Sequence, residues 1–191
     1  VPNDPKPPRG TVGTVVIYAP GYDDDDLTDF DDAFKDDDVT VMFVSSADFA
    51  PVVNAIDDAH STQVALVSFG AEATDAWKSL PILRDKVRST AFVSVPAAAN
   101  LEVHQFADLP IFDLHSEEDK RTVEAHQPIH DGLSAAGVPH EMVVYGQVQS
   151  EFFAIGKSGY DRATALDAAG RVHDWVMTSL LTDDLREVRS G

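Results

Sequence analysis

Six short runs of β-branched and aromatic residues recur along this chain, and most are followed by a segment with apolar residues at helical spacing. The runs are Thr14 to Ala19, Val39 to Val44, Val64 to Phe69, Ala91 to Val95, Ile111 to His115 and Glu141 to Tyr145. Leu27, Phe30, Ala33 and Phe34 mark a first helix, and Val52, Val53, Ile56 and Ala59 a second. A third runs from about Ala71 to Leu80, where Pro81 is expected to end it. The last, Thr164 to Leu181, is expected to bury Leu166, Ala169, Val172, Trp175, Val176 and Leu180. Strands joined through helices lie parallel, and strands covered on both faces read as continuous apolar runs. The pattern therefore predicts an α/β fold: a three-layer sandwich with a mostly parallel sheet of about six strands, in a single domain over residues 1–191. Residues 1–10 hold four prolines and no periodicity, and read as an extended arm.

Charge narrows the partners. The chain has 33 acidic residues against 14 basic ones, a formal net charge of −19, with 25 Asp, 8 Glu and only six Lys. Such a surface repels nucleic acid and anionic membranes, so neither is an expected partner. Dense aspartate with little lysine resembles proteins of salt-loving organisms, in which salt screens the mutual repulsion. The absence of cysteine excludes disulfides, thiolate metal sites and a cysteine nucleophile. No stretch approaches 18 apolar residues, and the first ten lack the apolar core of a secretory signal, so the expectation is a soluble, cytoplasmic protein with no cofactor.

The run Gln63 to Trp77 reads Q-V-A-L-V-S-F-G-A-E-A-T-D-A-W, a strand turning directly into a helix. Further on, L-P-I-F-D-L-H-S-E-E-D-K-R-T-V is followed by G-V-P-H-E-M-V-V-Y-G-Q-V-Q-S-E-F-F. In order and spacing, Val15 to Leu181 resembles the dienelactone hydrolase family of the α/β-hydrolase superfamily, with the first strands and the cap of the parent fold reduced or missing. The resemblance implies a strand-turn-helix elbow carrying a nucleophile, an acid loop and a histidine loop. Gly70 takes the nucleophile position, Asp119 the acid and Ser150 the histidine, 49 and 31 residues apart. Only the acid matches the family pattern. Ser68 and Glu72 replace the glycines that flank the nucleophile, which puts a tight elbow in question. A glycine cannot form an acyl-enzyme, and an aspartate with no imidazole to orient serves no base.

The pocket that this register assembles would contain Tyr22, Ser68, Ala71, Glu72, His115, Gln149 and Glu151. Three carboxylates, Glu72, Asp119 and Glu151, would meet there, and their repulsion could supply a general acid or base. Structurally, Glu72 equally suits the first turn of a helix. His115 ends a strand on the edge where α/β sheets hold ligands, or is a structural histidine bonded to backbone. His126 and His130 have the spacing of two metal ligands on one helix face, but Pro128 between them is expected to start a helix, leaving His126 outside and no metal site. Ser45, Ser46, Ser68 and Ser94 near strand ends read as turn or capping residues. Asp23 to Asp26 lack calcium-loop spacing and read as a helix-capping run.

These observations favour a non-hydrolytic binding, regulatory or partner subunit, taking a small-molecule ligand or a protein partner, a second copy of the chain included. The alternatives are an isomerase, lyase or cyclase acting through the carboxylates or His115, and an ester or lactone hydrolase with a displaced site.

Overall fold

The computed structural model describes residues 12–59 and 63–182. The arm assigned to residues 1–10 lies outside them. Six strands form one sheet: β1 (Gly13–Tyr18), β2 (Val39–Val44), β3 (Val64–Phe69), β4 (Ser89–Val93), β5 (Ile111–Ser116) and β6 (His140–Tyr145). Their order is β2-β1-β3-β4-β5-β6, and all five pairings are parallel. No strand precedes β1 among the described residues. The helices are α1 (Thr28–Phe34), α2 (Ala50–Asp58), α3 (Thr74–Leu83), α4 (Lys120–Ala136) and α5 (Arg162–Leu181). None among the described residues is long and apolar enough to cross a membrane.

Alternation along the strands divides the core in two. Val15, Ile17, Ala65, Val67, Phe69, Phe112 and Leu114 face α1 and α5, meeting Phe30, Phe34, Val172 and Val176. Val16, Tyr18, Leu66, Phe92 and Ile111 face the other layer, meeting Val52, Trp77, Leu80, Ile129 and Leu133. Trp77 stacks on Phe92 with ring centroids 4.0 Å apart. β3 is buried along its whole length, as befits an interior strand, whereas the edge strand β6 is half exposed.

Two helices pass through prolines that the sequence suggests as boundaries. α3 continues through Pro81 to Leu83, and α4 runs unbroken across Pro128. An interior proline costs a helix about 3 kcal/mol. Leu80 and Leu83 flank Pro81 and are fully buried, each worth about 1.5–3 kcal/mol, so packing offsets the break. Ile129, His130 and Leu133 do the same beyond Pro128, and His126 is therefore inside α4. In α5, Leu166 is 48% exposed rather than buried, and Ala165 and Ala168 take its place against the sheet.

Candidate functional site

After β1 the chain moves to β2 on one side and then to β3 on the other, so the strand order reverses between β1 and β3. Crevices form outside the carboxyl ends of strands at such a point. Pro20-Gly21-Tyr22 leaves β1 there, and Gly70 leaves β3. Two more loops, bearing Asp119 after β5 and Ser150 and Glu151 after β6, leave the same edge.

Gly70 makes the turn. Its φ of +80° and ψ of 169° belong to a region open almost only to glycine, and its N–H is held by the Val93 carbonyl at 2.9 Å. The strand thus passes at once into a one-turn 3-10 helix, Ala71–Ala73, and on into α3. A sharp elbow exists without the flanking glycines, because the positive φ is concentrated in Gly70 itself. A Cβ on Gly70 would lie 2.4 Å from Tyr22 Cε2 and 2.9 Å from its hydroxyl, so the tyrosine ring fills the space into which a side chain at 70 would project.

Several contacts fix that ring. Gly21, at φ +83°, turns the chain so that Tyr22 points back over the elbow. The ring packs on Phe153 at 5.3 Å, and Lys157 Nζ lies 5.2 Å from its centroid. The hydroxyl donates to Glu151 Oε1 at 3.1 Å. Burial, then the charges of Glu151, Glu72 and Asp26, push the phenol above its usual range, so Tyr22 holds its proton. Glu72, exposed in the 3-10 turn, reaches toward Gly21: a Cβ there would sit 3.4 Å from Glu72 Oε2.

Beside this pair, Ser150 Oγ donates to Asp119 Oδ1 at 2.7 Å. Ser116, which the sequence did not mark, ties the two loops together. Its hydroxyl donates to the Val148 carbonyl and accepts from the Glu118 N–H at 3.0 Å. Only a hydroxyl at the end of β5 could have signalled it. Phe152 and Phe153 anchor the second loop in the core.

The remaining candidates scatter. Gln149 and Ala71 are exposed at the rim. Ser68 is buried, and its hydroxyl has no hydrogen-bond partner among the described residues. Ser46 accepts from the Asp48 N–H, a turn role, and Ser94 is buried with φ +54°. The Asp26 carboxylate accepts from the Asp23 N–H at 3.1 Å, ahead of α1. His115 does not face the elbow. It is fully buried beneath α4, with Nε2 3.3 Å from His126 Nδ1. His126 and His130 both hydrogen-bond Asp113, so the helix that Pro128 was expected to interrupt instead presents both histidines to one carboxylate.

Glu72, Asp119 and Glu151 do share one edge, but Asp119 and Glu151 are each engaged by a neighbouring hydroxyl. A cavity of about 920 Å³ opens at the opposite edge around Arg88, Pro110, Pro139 and Trp175.

Residues 24–180 match the model of the Dienelactone hydrolase family. The chain belongs to the dienelactone hydrolase family. Solved structures agree with the family's fold. A Klebsiella pneumoniae protein solved as a candidate dienelactone hydrolase superposes with a TM-score of 0.66 at 16% identity, covering 91% of this chain and 90% of that one. Thermogutta terrifontis esterase 2, phosphonylated by sarin, gives 0.68 at 11% identity over 96% of this chain and 90% of its own. A thermostable esterase gives 0.60 at 14% identity, covering 93% of this chain but 57% of that one. No curated protein sequence matches significantly. At these identities the solved structures speak for the fold of this dienelactone hydrolase family member, not for its chemistry.

Proposed function

We propose that this chain is a dienelactone hydrolase family member without hydrolytic activity, serving as a binding, regulatory or partner subunit. The observation that carries the reading is the Tyr22 ring over Gly70: the place from which a nucleophile would attack is taken by a side chain that is itself packed and hydrogen-bonded. Asp119 holds a serine hydroxyl, which has no basic nitrogen to accept a proton from an attacking group. The test is turnover of p-nitrophenyl acetate and a dienelactone by the purified chain in high salt, alongside labelling by a serine-directed fluorophosphonate. Rates equal to buffer and no labelling are expected. Turnover that disappears in Asp119→Ala overturns the reading.

A second reading rests on Tyr22 and Glu151, 3.1 Å apart at the mouth of the crevice with Glu72 nearby. A phenol that keeps its proton can hydrogen-bond a developing oxyanion while the neighbouring carboxylate takes up a proton, a pairing suited to isomerisation or elimination. Substrate turnover lost in Tyr22→Phe, with the fold intact, would favour it over a binding role.

A further inference from the structure

In the layer of core between β5 and α4, four ionisable side chains meet in an otherwise apolar setting. Asp113 and His115 alternate on β5 and so share a face, while His126 and His130 lie one turn apart on α4. Asp113, His115 and His126 are fully buried, and His130 is 5% exposed. One atom of each points inward. Asp113 Oδ2 is 3.0 Å from His126 Nδ1 and 2.6 Å from His130 Nε2. His115 Nε2 is 3.3 Å from His126 Nδ1 and 3.9 Å from Asp113 Oδ1. The Asp113, His126 and His130 donor atoms lie within 4.8 Å of one another. Trp77 stands edge-on to His126, and Ile129 and Leu133 pack alongside.

Proton counting shows that neutral imidazoles leave the charge of Asp113 unbalanced. A neutral imidazole carries one N–H. If His126 and His130 give theirs to Asp113, His115 Nε2 must be a bare acceptor toward His126, and its own N–H sits on Nδ1. Asp113 Oδ1, His115 Nδ1, His126 Nε2 and His130 Nδ1 then have no hydrogen-bond partner among the described residues. These ring nitrogens are the ones turned away from Asp113, so the need at the centre is for charge: a buried anion is costly unless a positive charge balances it.

We propose that Asp113, His126 and His130 form a buried site for a first-row divalent transition metal, with Zn²⁺ the reference ion, and that His115, which stands outside that cluster with its Nε2 3.9 Å from Asp113 Oδ1, moves in as the fourth ligand when the metal binds. Three imidazoles and one carboxylate are the nitrogen and oxygen donors that zinc accepts, and four protein ligands with no open position make a structural site. With bonds of about 2.0–2.1 Å, a tetrahedral site has donor-to-donor edges of about 3.3–3.4 Å. The contacts of 3.0 and 3.3 Å are already near that value, the 2.6 Å one opens by a small movement of His130, whose side chain is nearest the surface, and the 3.9 Å one requires His115 to move toward the carboxylate. A metal there pins α4 to β5 across the loop that holds Asp119, and makes the acid loop rigid irrespective of what the crevice binds.

The test uses the full chain without a histidine tag, stripped with a chelator and passed through gel filtration in molar KCl, then titrated with Zn²⁺ and separately with Co²⁺. Expected are one retained Zn²⁺ per chain, a rise of several degrees in thermal midpoint, and the intense visible absorption of four-coordinate Co²⁺. His130→Gln and His126→Gln should each reduce the retained metal to below about one tenth of an equivalent. A folded wild-type chain that retains no stoichiometric Zn²⁺ and gives no four-coordinate Co²⁺ spectrum overturns the proposal, whether or not the variants fold. Equal retention by both variants also overturns it, because the metal would then sit on surface carboxylates.

Discussion

The Ser150 hydroxyl reaches the Asp119 carboxylate across two loops, 2.7 Å away and 31 residues later in the chain. The contact joins the loop after β5 to the loop after β6, and Ser116 reinforces it from below.

Removing the donor should be felt in stability rather than in catalysis. A hydrogen bond to a charged, half-buried carboxylate contributes about 1.5–3 kcal/mol, and partial exposure places this one at the lower end. Ser150→Ala is expected to lower unfolding free energy by about 1.5 kcal/mol in urea titrations, with Asp119→Asn costing less because an amide still accepts. Neither should alter ester turnover.

Gly70 and Tyr22 should be energetically coupled. Gly70→Ala forces a Cβ into the tyrosine ring and a side chain into a φ of +80°, for an expected loss of about 3 kcal/mol or more. Tyr22→Ala empties a packed position and should cost about 3 kcal/mol. In the double variant the clash is gone while the backbone strain remains. Its loss should therefore fall short of the sum by at least 1 kcal/mol, and strict additivity in the double-mutant cycle would contradict the geometry.

His173 on α5 gives a signed pH dependence. Burial works against its charge, but hydrogen bonds to Asp37 at 2.8 Å and Asp174 at 3.1 Å outweigh it, and the histidine is raised above its usual value. A raised folded value means that the ion pairs stabilise fully below about pH 6.5, the unfolded value, and that the contribution fades as pH rises through the folded one. The difference in urea midpoint between wild type and Asp37→Asn should accordingly be larger at pH 5.5 than at pH 9.

Ionic strength should matter across the whole molecule. A net charge of −19 on 191 residues is self-repulsive, and added salt screens it. The thermal midpoint is expected to rise steadily from millimolar to molar KCl. A flat response would mean that repulsion among the unbalanced carboxylates contributes little to stability.

Periodicity made the sheet legible. β2 and β3 have the bounds that their apolar runs predict, β5 and β6 differ by one residue at one end, and β1 and β4 are shifted by one and two residues at both ends, because hydrophobic runs report burial in a parallel sheet almost directly. Family spacing brought Gly70, Asp119 and Ser150 forward together, and the structure puts all three at one edge of the sheet. What escaped was any feature depending on direction in space. Pro128 marks a helix start by local preference, yet buried Ile129 and Leu133 carry α4 through it. His115 ends a strand on the expected edge, but the parity of β5 turns it away from the elbow toward α4. The Tyr22 ring over Gly70 depends on the turn at Gly21, which no pattern of residue types specifies.

The glycine at the elbow also constrains the routes open to mutation. Any side chain at 70 collides with Tyr22 while that ring remains, and Tyr22 cannot be trimmed without emptying the space above Phe153. A side chain can therefore enter at position 70 only at a cost in stability, whichever residue changes first. The two positions act as a ratchet: descendants of this chain are freer to vary the rim around the tyrosine than the glycine beneath it.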